Sequence, residues 1–129
     1  MICINNKLTS SQQEKANAFL DKVKALLPTN EFTVEQTFKN KEFAREYSFR
    51  NRDYKKVLLS LTKEDCISIE SNDNPRYEDA EVYKFIKNTE LNVFGEIEKL
   101  DIYIKMYIRE YDSYNIVIII SFHKEGVFD

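Results

Sequence analysis

Residues Asp101–Asp112, DIYIKMYIREYD, decide the fold. Ile102, Ile104, Met106 and Ile108 alternate with Tyr103, Lys105, Tyr107, Arg109 and Tyr111. A period of two places the aliphatic set on one face of a strand and the tyrosines and cations on the other. Asp112-Ser113-Tyr114 then turns the chain back into Asn115–Phe122. Within that return, Ile116–Ile120 is apolar at every position, the pattern of a central strand covered on both faces.

Outward from this hairpin the periods alternate. Leu91–Glu98 is compatible with strand or helix and is read as strand. In Glu78–Asn88, Val82, Phe85 and Ile86 recur at helical spacing, which predicts a short helix. Ser71-Asn72-Asp73-Asn74-Pro75 has loop composition. Four short segments before it read as strands with hairpin-sized connections: Phe32–Phe38, Phe43–Phe49, Tyr54–Thr62 and Cys66–Ser71.

The N-terminal third begins with a helix. Thr9, Ser10 and Ser11 can each cap it, and Ser11 with Glu14 has capping-box spacing. Ala16, Phe19, Leu20, Val23, Leu26 and Leu27 form one stripe, and Pro28 ends it. The stripe should pack on a sheet containing Ile102, Ile104 and Ile118. The expectation is a single α+β domain over residues 1–129. It is an antiparallel sheet of about six or seven strands, with the Thr9–Leu27 helix on one face and a second short helix.

Charge is divided along the chain. Residues 1–63 carry twelve Lys/Arg against seven Asp/Glu, and residues 64–129 carry seven against fifteen. Glu64, Asp65, Glu70, Asp73, Glu78, Asp79 and Glu81 oppose one base, Arg76. Fields act within about 8–10 Å, so this local excess says more about partners than the net charge of −3 does. Two widely separated cysteines, Cys3 and Cys66, make no disulfide framework, and the apolar start Met1–Ile4 stops at Asn5, too short for a leader. A cytoplasmic chain without membrane segments is expected.

Chemistry-bearing motifs are few. Gly95 and Gly126 are too far apart for a phosphate loop. Cys3, Cys66 and His123 cannot supply four zinc ligands, and Asp73 lies in a loop without EF-hand spacing. His123 is the only histidine available to a nucleophile. No catalytic, cofactor or metal residue is therefore assigned, and no cofactor is expected. Lys39–Lys56 interleaves seven bases with Phe43, Tyr47, Phe49 and Tyr54, and Tyr103, Tyr107 and Tyr111 alternate with Lys105 and Arg109. Such faces can stack nucleic-acid bases. A pI of about 5.3 opposes a phosphate-tracking protein.

Glu64–Glu81 and Glu110-Tyr111-Asp112-Ser113-Tyr114, in a small, acidic, glycine-poor and Phe/Tyr-rich α+β chain, resemble the immunity proteins of bacterial contact-dependent-inhibition and polymorphic toxin systems. The resemblance is one of overall character and carries over no functional residue. It implies a non-enzymatic cytoplasmic inhibitor that binds one cognate basic toxin domain, often a nuclease. The expected contact residues are Glu64, Asp65, Glu70, Asp73, Glu78, Asp79, Glu81, Tyr103, Tyr107 and Tyr111. A nucleic-acid-binding module and a small enzyme with an unrecognised site are the alternatives.

Overall fold

The computed structural model describes residues 8–71 and 80–126. Three helices, α1 (Ser10–Leu26), α2 (Phe38–Tyr47) and α3 (Asn51–Ser60), accompany five strands: β1 (Phe32–Val34), β2 (Cys66–Glu70), β3 (Val82–Val93), β4 (Glu96–Glu110) and β5 (Asn115–Lys124). The sheet order is β1-β5-β4-β3-β2. β1 runs parallel to β5 and the other pairs are antiparallel. The class is α+β, with a mixed five-stranded sheet in place of six or seven antiparallel strands. β4, not β5, is the middle strand.

α1 starts where the sequence places it, but the capping box is Thr9 with Gln12. Thr9 Oγ1 accepts from the Gln12 amide at 3.1 Å, and Gln12 Oε1 accepts from the Thr9 amide at 2.9 Å. Ala16, Phe19, Leu20 and Val23 are buried against the sheet. The Phe19 ring stacks on Tyr83 with centroids 3.8 Å apart. Ile102 and Ile104 share that core, whereas Ile118 belongs to a second, smaller cluster with Val82, Tyr107 and Ile120.

Two segments expected as strands are helices. In Phe43–Phe49, Phe43 and Tyr47 stand four residues apart on one helical face. Thr37 Oγ1 accepts from the Asn40 amide at the start of α2. Ser48 closes the helix at φ 54°, with Phe49 N–H donating to Ala44 O at 2.9 Å, the long-range bond of a Schellman end. In α3, Tyr54, Val57 and Leu58 are buried with the following Leu61, an i, i+3, i+4, i+7 set, while Leu59 is exposed. Conversely, the helix expected over Glu78–Asn88 is strand β3 in its described part. Val82 and Ile86 sit on one face and Tyr83 and Phe85 on the other, and a strand apolar on both faces imitates helical spacing.

A β-bulge aligns the main core. Lys105 pairs with Ser121 but Met106 with Ile119, so Ile120 has no opposite residue. The extra residue turns Phe122 inward and His123 to the other face. Phe122 is then the hub of an aromatic cluster with Phe43, Phe49 and Tyr54, at centroid distances of 5.6, 5.5 and 4.8 Å. All three helices contribute to the core on this face, and among the described residues no helix packs on the other.

The β3–β4 pair outruns its neighbours. β2 pairs only with Val82–Phe85, and β5 pairs with β4 only from Ile102 onward, so the two strands continue as a two-stranded ribbon. Leu91 and Leu100 pack back on the core, and Tyr47 Oη donates to Glu98 at 2.6 Å. The ribbon turns through Phe94 (φ 52°) and Gly95 (φ 90°).

Candidate functional site

The expected acidic patch is divided by β2. Glu64 and Asp65 lie in a 3₁₀ turn at its start and Glu70 at its end, five steps of extended chain, or about 16 Å, from Asp65. Asp65 accepts from the Thr62 amide and lies 3.5 Å from Lys87 Nζ. Glu70 lies 2.8 Å from Lys84 Nζ, whose hydrogen bond holds the Glu70 carboxyl below the usual carboxylate range. Glu81 pairs with Lys15 at 2.5 Å. Three of the four described acids are thus neutralised by the chain's own lysines. Asp73, Glu78 and Asp79 lie outside the described residues.

Tyr103 and Tyr107 share a face of β4 and Tyr111 follows its last residue; the three differ in access. Tyr107 is 3% exposed, packed in the small cluster with Val82 and Ile120. Tyr103 is half-buried and tilts against His123, with centroids 5.6 Å apart. Tyr111 is 41% exposed and stacks on Tyr114 at 4.7 Å and 18°, with the Arg109 guanidinium 5.1 Å from its ring centre. Glu110, Asp112, Ser113 and Tyr114 are exposed around this stack. Tyr111 N–H donates to Tyr114 O at 2.8 Å, so the stack sits on a closed turn. Nearby, Lys15, Phe19, Glu81, Tyr83, Arg109 and Glu110 help to line a cleft of about 530 Å³ between α1 and the sheet end.

The rings between the bases of Lys39–Lys56 do not form a stacking surface. Phe43 and Tyr54 are buried, and Tyr47 and Phe49 are partly buried in the core cluster. Helix formation turns these rings inward and sends the lysines and arginines outward.

Cys66 and His123 are not a dyad. Cys66 pairs with Phe85, Phe85 with Ile104 and Ile104 with Phe122, which puts three strand spacings, about 14 Å, between the cysteine and β5. Burial pushes the Cys66 thiol up to about 11, away from the thiolate that nucleophilic chemistry uses. His123 Nδ1 lies 2.9 Å from Lys124 O. Among the described residues no three His, Cys, Asp or Glu side chains gather as metal ligands, and no helix is long and apolar enough to cross a membrane.

Sequence reasoning missed two features that involve exposed or special positions. Arg109 reads in sequence as one of the strand cations, and in the structure its guanidinium lies beside the Tyr111 ring. In sequence Phe94 is marked only by the isolated Gly95 that follows it between two alternating segments, a turn signal. The chain matches no family model, no curated protein and no solved structure with which it was compared.

Proposed function

We propose that this chain is a non-enzymatic cytoplasmic inhibitor of the immunity type, which binds a basic toxin domain through the β4–β5 end of its sheet. The observation that carries this reading is the exposed Tyr111–Tyr114 stack with Arg109 beside it. Tyr and Arg are enriched in binding hot spots: tyrosine brings large contact area at low cost in rotamer entropy, and arginine brings a planar fork of directional donors. The stack is already ordered by its turn, so little freedom is lost on binding. Glu110 and Asp112 make no ion pair among the described residues and stand beside the stack, so they can steer a basic partner. Within the run Glu64–Glu81, Asp65, Glu70 and Glu81 contribute less, because each has a lysine partner.

The test uses a basic toxin domain that co-purifies with the chain or is encoded beside it. Tyr111→Ala with Tyr114→Ala should weaken binding roughly 30-fold or more. Exposed positions of this kind change stability by about 0.5 kcal/mol or less each. Glu110→Lys with Asp112→Lys should slow association at low salt and approach the wild-type rate at high salt. Unchanged affinity and unchanged salt dependence would sink the reading. Micromolar binding of single-stranded RNA or DNA that Tyr111→Ala removes would replace it with the nucleic-acid reading.

A further inference from the structure

The turn between β3 and β4 breaks two rules of soluble proteins at one position. Val93 pairs with Glu96, so Phe94 and Gly95 form a two-residue hairpin turn, and both have positive φ as a type I′ turn requires. The first position of that turn favours Asn, Asp or Gly, because a side chain in the left-handed region crowds the backbone. Here it is phenylalanine at φ 52°. The same ring is 100% exposed, so no contact within the described fold compensates for the backbone cost. Ile97 beside it is 60% exposed. Asn92 Oδ1 accepts from the Gly95 amide at 2.8 Å and braces the turn in this conformation.

Charge around the tip has one sign. From Glu90 to Glu98 the ribbon carries Glu90, Glu96 and Glu98 and no Lys or Arg. Glu90 reaches Lys99 at 3.9 Å and Glu98 reaches Lys124 at 3.7 Å, whereas Glu96 has no ion pair among the described residues. The tip is therefore a convex apolar point with one unpaired acid, Glu96, beside it, carried on a ribbon whose base is anchored to the core through Leu91, Leu100 and the Tyr47–Glu98 bond.

We infer that the β3–β4 hairpin tip is a protein-docking element, with Phe94 as the anchor that enters an apolar pocket rimmed by Lys or Arg on a partner protein. An apolar anchor ringed by polar groups is the anatomy of a hot spot and its rim. The unpaired Glu96, in a ribbon segment that carries no Lys or Arg from Glu90 to Glu98, favours a cationic rim and disfavours the phosphates of nucleic acid or an acidic membrane surface. The site is separate from the Tyr111 stack. β4 spans 15 residues, so the two ends lie about 48 Å apart. A standard interface covers about 800 Å² per partner, a disc roughly 30 Å across, and does not reach both. The inference holds whether or not the Tyr111 end binds.

Two measurements on the full chain test it. Phe94→Asn creates the favoured Asn-Gly turn and should raise the melting temperature by about 2–6 °C. A fall of several degrees would show that the ring supports the fold, and would overturn the inference. Second, a photo-crosslinking phenylalanine analogue is placed at position 94 in the producing cells. The protein joined there is identified, purified and assayed against the wild type, Phe94→Asn and Ile97→Ser. The expected result is an adduct with a basic protein whose affinity falls roughly 30-fold or more on Phe94→Asn and less on Ile97→Ser, with weaker binding at high salt. No adduct, an adduct with a second copy of this chain, or equal affinity for Phe94→Asn would overturn it. The Tyr111→Ala and Tyr114→Ala variant separates the two sites. Loss on that variant alone removes the tip inference and leaves the other reading, and loss on Phe94→Asn alone does the reverse.

Discussion

Beyond Ile119 the outer edge of β5 has no strand beside it among the described residues, because β1 ends at Val34. The side chain of Asn40, 2% exposed, takes the place of the missing strand. Its amide nitrogen donates to Ile120 O and to Glu35 O, each at 2.9 Å, and its oxygen accepts from the Phe122 amide at 2.9 Å. One residue thus satisfies both sides of the bulge and ties α2 to the sheet. Asn40→Ala would leave two buried backbone groups, Ile120 O and the Phe122 amide, without this partner, each costing about 1–3 kcal/mol. Partial entry of water reduces the sum, so a loss of about 3–5 kcal/mol in urea unfolding is expected, and a loss under 1 kcal/mol would show that the edge is satisfied otherwise. Nothing in the sequence marks Asn40, since an asparagine among Lys39, Asn40 and Lys41 reads as turn chemistry.

At the scale of elements, α2 and α3 show how a local period is overridden. Tyr47 and Phe49 alternate, and so do Val57, Leu59 and Leu61, so both stretches satisfy a strand template over a few residues. The fold selects the helical template because it gathers Phe43, Phe49 and Tyr54 around Phe122, and buried aromatic area outweighs local preference. The end of α2 was hidden because the left-handed position is Ser48 rather than glycine. Ser48→Gly should raise stability by about 0.5–1 kcal/mol, as a shift of the denaturant midpoint at constant m-value, since the position already has φ 54°. At the hub, Phe122→Ala should cost about 3–5 kcal/mol by the same measurement. A loss near that of an exposed substitution would mean that the helices do not depend on the cluster.

For the whole molecule, pH reports how the core is built. Burial pushes the Cys66 thiol up to about 11 and the Tyr83 hydroxyl up to about 12. Both are neutral acids, so the unfolded chain releases their protons first. Their contribution is complete below about pH 9 and is lost as pH rises, through about 9–11 for Cys66 and about 10–12 for Tyr83. Each loss is about 2–3 kcal/mol by linkage. The melting temperature should fall steeply above pH 9, and in Cys66→Ala the fall between pH 9 and 11 should be shallower. Equal slopes for the two proteins would remove Cys66 as a cause.

By itself the sequence determined the α+β class, helix α1, strand β2 and the β4–β5 hairpin, because these segments carry one dominant period and clear stops; the strand expected over Phe32–Phe38 ends at Val34, and Phe38 begins α2. Ile102, Ile104 and Met106 are in the core, as their alternation requires. The tertiary structure alone decided the rest. Val82–Ile86 is apolar on both faces, and only pairing with β2 and β4 distinguishes strand from helix. The parallel partner of β5, the bulge at Ile120 and the middle place of β4 depend on contacts between residues far apart in the chain, which no local window contains. The same holds for the surface. The run Glu64–Glu81 is acidic in sequence, yet Lys15, Lys84 and Lys87 answer three of its charges once the chain is folded. Phe94 reads as an ordinary aromatic in sequence, and only the register of the hairpin leaves it in a left-handed turn with its whole ring in solvent.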